Sequence, residues 1–162
     1  MHANGALLDK LFGALRRHDH EAMASCYHPA AHFRDIAFDL YPRERIHDMW
    51  RMICSGDIQA EFEIIDADDR GGRVRLGETY TFHTSKRPPD DKVTVGNAIV
   101  SRFLFNDGLI LRQDDDCDAK EWARQAMAKN NPVVRFLAGR IRLLRSLVAK
   151  AKLAKFVKNE RA

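Results

Sequence analysis

The chain has only three cysteines, Cys26, Cys54 and Cys117, and none belongs to a Cys-x-x-Cys pair. An odd, scattered set supports neither a disulfide framework nor a structural zinc site, so all three read as small buried apolar side chains. No uncharged apolar run approaches the ~20 residues that span a bilayer, and no basic stretch followed by an apolar segment opens the sequence. The expected compartment is the cytoplasm. A length of 162 residues with 45% hydrophobic content is enough for one sizeable core.

Excess positive charge is also missing from most of the chain. Residues 131–162 carry nine Lys or Arg against one Glu, a net +8, whereas residues 1–130 carry 18 basic and 22 acidic side chains, a net −4. The overall +4 therefore belongs to a tail and is no nucleic-acid signature. This divides the chain into a domain over 1–130 and a basic tail over 131–162. Within the tail, Leu137, Ile141, Leu144, Val148 and Ala151 recur at helical spacing, with Arg135, Arg142, Arg145 and Lys152 mostly off the stripe. That spacing predicts one amphipathic helix over 133–157. Docking of the stripe on the domain or on a dimer mate, with the basic side chains in water, is expected ahead of attachment to an anionic membrane surface, since an open stripe invites aggregation.

Periodicity orders the rest. Leu7, Leu8, Leu11, Phe12 and Leu15 form a helical stripe behind an Asn4 cap, ending near His18, and Asp19 caps a short second helix that His28-Pro29 stops. After an extended stretch, Pro42 suits a first helical position ahead of Ile46, Met49, Trp50 and Ile53. From Ile58 the period changes to two. Ile58, Ala60, Phe62 and Ile64 share one strand face, and Val74, Leu76, Tyr80 and Phe82 share another. Lys86 to Asp91 breaks the chain before the best strand, in which Val93, Val95, Asn97, Ile99, Ser101, Phe103 and Phe105 alternate with outward residues. Asn106-Asp107-Gly108 then turns it back. The last strand places Leu111, Gln113, Asp115 and Cys117 on one face, and Asp118 caps a helix carrying Trp122 and Ala126.

Two acids stand out. Asp35 closes the extended stretch that runs from Tyr27 to Asp35, where the fold has little need of a carboxylate beyond a turn or cap. Asp115 sits within the run Asp114-Asp115-Asp116, which could equally solvate a strand end. Metal sites find little support. Asp114, Asp116 and Asp118 open like a calcium loop, but Ala119 and Gln125 stand where glycine and a bidentate glutamate are needed. His28 and His32 are four apart, but Pro29 denies them helical geometry. The expectation is no metal and no cofactor.

Helices, strand, helix, then a meander leading into Asp115 resembles the nuclear-transport-factor-2-like superfamily and its SnoaL-like branch over roughly residues 4 to 130. The resemblance implies an α+β fold: a curved antiparallel sheet with N-terminal helices forming a cone-shaped pocket, extended here by a C-terminal amphipathic helix. It implies a small apolar organic ligand, a homodimer, and pocket residues at Tyr27, Phe33, Trp50, Tyr80, His83, Asn97, Ser101 and Phe103. Asp35 falls on the proton-moving aspartate of the ketosteroid isomerases, while Leu11 and Ser101 fall where those enzymes place their oxyanion donors. Asp115 matches an aspartate common in SnoaL-like sequences, although Cys117 replaces the usual aromatic residue two places on. Two function classes follow: a cofactor-free isomerase, cyclase or hydrolase using Asp35 and Asp115 as acid and base, or a non-catalytic ligand-binding or interaction module. An epoxide-hydrolase relay would need an arginine between carboxylates, and Arg102 is predicted on the wrong face.

Overall fold

A computed structural model describes residues 2–83, 92–127 and 132–160. Helices α1 (Ala3–Arg16) and α2 (His20–Ala24) precede strand β1 (Tyr27–Arg34), the short β2 (Asp39–Leu40) and helix α3 (Arg43–Cys54). Strands β3 (Gln59–Ala67), β4 (Gly72–His83), β5 (Lys92–Asn106) and β6 (Leu109–Cys117) follow, then α4 (Ala119–Ala126), α5 (Pro132–Arg140) and α6 (Arg142–Glu160). The break over 86–91 and the join at Asn130-Asn131 lie outside the described residues.

The six strands form one curved sheet in the order β2-β1-β6-β5-β4-β3. It is antiparallel, as expected of the curved sheet, except where β1 runs parallel to β6. Its long arms come from the alternation legible in β3 to β5. At the β5–β6 hairpin, Asp107 (φ 50°) and Gly108 (φ 73°) adopt the two left-handed conformations that a tight two-residue turn needs. A bulge after Leu104 pairs Phe105 with Ile110, so Ile110 rather than Leu111 points into the core. Beyond it the predicted phase resumes, with Gln113 buried.

Helix α1 lays Leu8, Leu11, Phe12 and Leu15 on the concave face, and Phe12 meets Phe62 at 5.3 Å and Phe103 at 6.1 Å between centroids. Its approach is close. A Cβ on Gly72 would come within 2.9 Å of Leu8 Cδ1 and 3.3 Å of the Phe105 ring, so a larger residue there would make Leu8 shift in the core. Two caps differ from expectation. His2, not Asn4, caps α1, because the Asn4 side chain donates instead to the Asp68 carbonyl. Pro42 is the cap residue of α3, one position before its first turn.

The tail departs most from its prediction. It forms two helices with the break at Ile141, and the Leu137, Ile141 and Val148 positions face solvent. The buried side chains of α6 are Arg145, Leu153 and Val157. Leu153 and Val157 join the main core, while Arg51 of α3 lies 5.8 Å from the Phe156 ring and 3.5 Å from Glu160. Arg145 is thus an exception to the expectation that the tail's basic groups stay in water, because the Ile36 carbonyl in the loop after β1 and the Ala138 carbonyl of α5 accept from it. No helix among the described residues is long and apolar enough to cross a membrane.

Candidate active site

Alternation on β4, β5 and β6 brings a line of polar side chains onto the concave face. Trp50 Nε1 donates to Tyr27 Oη at 3.1 Å, and the Tyr27 hydroxyl donates to Gln113 Oε1 at 2.5 Å. Gln113 Nε2 then donates to both oxygens of Asp115, at 2.9 and 3.0 Å. The chain has one consistent direction. Because Gln113 has its carbonyl taken by tyrosine, its amide group must point at Asp115, fixing the carboxyl in place.

Across the β5–β6 pairing, Asp115 faces Ser101. The Ser101 hydroxyl is buried and near enough to favour the ionised carboxylate, yet it meets no partner with hydrogen-bond geometry. Part of the Asp115 surface remains accessible, on the side that lines a cavity of about 310 Å³. Protein encloses the rest. Burial pushes its pKa up to about 7, helped by the charges of Asp35 and Glu78 and opposed by Ser101 and Gln113.

Asp35 lines the same cavity, but one of its oxygens is committed to the backbone. Oδ1 accepts from the N–H groups of Ala37 at 2.7 Å and Phe38 at 2.5 Å, an Asx turn that shapes the loop after β1. Burial raises its pKa, while those N–H groups and the charges of Arg142 and Arg145 pull the other way.

The rim of the cavity comes from Arg34, Ile36, Asp114, Asp116 and the tail residues Arg142 and Arg145. Arg142 donates to the carbonyls of Asp35 (3.2 Å) and Phe38 (3.0 Å), and Arg145 to those of Ile36 (2.9 Å) and Ala138 (2.6 Å). The tail thus clamps the Asp35 loop. Asp114 and Asp116 sit at this mouth, and Asp114 is paired with Arg112 at 2.6 Å. Arg102 is exposed, pointing away from the concave face as predicted.

Glu78 is the residue the sequence reading passed over. It lies between Leu76 and Tyr80 on the inward face of β4, accepts from Asn97 Nδ2 at 2.9 Å, and has its pKa raised by burial. The same alternation that placed Leu76 and Tyr80 inward would have found it. Arg142 and Arg145 carried no comparable mark, because a basic helix normally keeps its charges in water.

The remaining expected pocket residues divide. Asn97 orients Glu78, and Tyr80 accepts from Trp122 Nε1 at 2.9 Å. Phe33, Trp50 and Phe103 are core side chains, 2–3% exposed, and do not line the cavity beside Asp115. His83 ends β4, and its side chain lies outside the described residues. On α2 and α3, away from the cavity lining, His20, Glu21 and His47 bring possible ligand atoms within 4.8 Å. His20 Nδ1 and His47 Nε2 are 2.9 Å apart, which a hydrogen bond between the rings explains.

A curved six-stranded sheet packed against helices defines the class: a nuclear-transport-factor-2-like α+β cone. Within it, the chain belongs to the SnoaL-like domain family, which matches residues 8–113. Similar solved structures include a proposed polyketide cyclase from Silicibacter sp. TM1040, with 16% identity, TM-score 0.64, and coverage of 76% of this chain and 94% of that one. A proposed SnoaL-like polyketide cyclase from Shewanella putrefaciens has 16% identity and TM-score 0.63, covering 79% and 98%. An LEH-like epoxide hydrolase of M. tuberculosis has 16% identity and TM-score 0.58, covering 78% and 94%. At these identities the likeness is one of fold. No curated protein matches the chain by sequence.

Proposed function

We propose that this SnoaL-like chain, a cytoplasmic homodimer, binds a small organic molecule in the charged cavity beside Asp115 and moves a proton on it there, without a cofactor, as an isomerase, cyclase or hydrolase would. The observation that carries this reading is Asp115 itself. A carboxyl with a pKa of about 7, held from one side by Gln113 and open to a cavity on the other, is populated in both protonation states near neutral pH. That is the condition for efficient general acid–base work. Asp35 and Glu78 share its field, so ionising one acid raises the cost of ionising the next, and the group titrates as a set.

Family likeness to hydrolases does not supply an epoxide-opening relay here. Arg102 points away, and Arg142 and Arg145 donate to backbone carbonyls around the Asp35 loop. The direct test is to identify the molecule that copurifies with the full chain and to measure its turnover against pH. If Asp115 acts as base, kcat/KM should rise to a plateau above about pH 7; if it acts as acid, it should fall through the same region. Tight binding with no turnover at any pH would establish the non-catalytic, ligand-carrying alternative.

Steroid isomerisation is expected to be absent. Leu11 is buried in the core and has no donor, and Ser101 offers a single hydroxyl in place of a protonated carboxyl. Each missing oxyanion donor costs about 10²–10³ in rate. Turnover of a β,γ-unsaturated ketosteroid should therefore stay near background, and a rate like that of a competent isomerase would show that another group binds the oxyanion.

A further inference from the structure

Of the eleven large hydrophobic side chains exposed among the described residues, eight lie between residues 133 and 148. They belong to a tail that already has one docked face. At 100° per residue, Leu153, Val157 and Arg145 lie on one side of α6, while Leu143, Leu147 and Val148 lie on the other. The first three are buried, whereas the second three are 58–68% exposed. On α5, Phe136 is 55% exposed with the Arg140 guanidinium 3.7 Å from its ring centroid. The domain has used one face of α6 and left the other apolar.

Charge decides what can cover it. Residues 132–160 carry eight Lys or Arg against Glu160 alone, a net +7, and Lys150, Lys155 and Lys158 are exposed on the same outward side of α6. A second copy would bring an equal positive charge against this one, so self-association through the face is opposed. An anionic lipid surface attracts the basic rim and accepts the apolar side chains in its headgroup region. No described helix is suited to crossing the bilayer, so the contact is interfacial.

We propose that the outward face of the α5–α6 tail docks on an anionic membrane surface, with Leu143, Leu147 and Val148 entering the interface while Leu153 and Val157 keep α6 on its domain. The test is flotation of the full-length protein with vesicles of phosphatidylcholine alone and of phosphatidylcholine with phosphatidylglycerol, beside sedimentation of the free protein. Binding should favour the anionic vesicles by about tenfold or more and weaken with salt. The double variant Leu143→Glu/Leu147→Glu should float at least about tenfold less while melting like the wild type, since both positions are open to solvent. Lys150→Glu/Lys155→Glu should weaken anionic binding without changing the fold. Three results would overturn the proposal: no flotation of folded protein at low salt, flotation untouched by the Leu143/Leu147 change, or a dimer that this change converts to monomer. The last would assign the face to a second copy.

Discussion

Asp115→Asn is expected to stabilise the fold at and above neutral pH while removing activity. The aspartate's pKa rises from its ordinary 3.8 to about 7 in the folded chain. Between those values the native state therefore holds a proton that the unfolded chain has lost, and unfolding free energy falls as pH increases. The cost is absent below about pH 4, accumulates up to about pH 7, and is constant above it. Three pH units correspond to at most about 4 kcal/mol. An asparagine in the same place has no such charge to bury and can still accept from Gln113. Urea unfolding of the two proteins should coincide near pH 4 and diverge toward pH 8, with the variant more stable by up to that amount. The amide cannot exchange a proton, so turnover of the copurifying molecule should drop by about 10²–10⁴-fold. A variant equally stable at pH 8 would mean the carboxyl is solvated, and unchanged turnover would take Asp115 out of the chemistry.

The second large effect concerns the tail. Leu153→Ala should cost about 2–5 kcal/mol, because a side chain 1% exposed within the main core leaves a cavity behind α6. Val148→Ala, at a position 58% exposed, should stay within about 0.5 kcal/mol. These residues are five apart on one helix, so the contrast reads out which side faces the domain. Had the predicted 137, 141, 144, 148 stripe been the docked one, the order would reverse. Thermal or denaturant melts of the two variants settle it. Loosening α6 should also weaken the hold of Arg142 and Arg145 on the loop carrying Asp35, so ligand retention is expected to fall in Leu153→Ala more than in Val148→Ala.

Local pattern was sufficient for much of the molecule. Alternation along Val93 to Phe105 and the Asn106-Asp107-Gly108 turn determined β5 and its hairpin, because a half-buried strand writes its two faces directly into its residues. The same rule put Asp115 beside Gln113 on one face, and it would have put Glu78 there too. Asp19 and Asp118 cap their helices as their chemistry predicts. What no local pattern contains is the pairing of distant segments. The parallel contact of β1 with β6 brings the Tyr27 and Gln113 side chains together, and only then does the Trp50–Tyr27–Gln113–Asp115 chain exist. Asp35 carries the same residue type whether it shapes a turn or faces a ligand, and the tertiary structure has it do the first while lining the cavity. The tail shows the limit most clearly. Its sequence has apolar residues on two sides of α6 and specifies a helix; which side is buried depends on the surface that α3 and the core present to it, and that surface is made by residues such as Arg51, more than a hundred positions from Phe156 and Glu160.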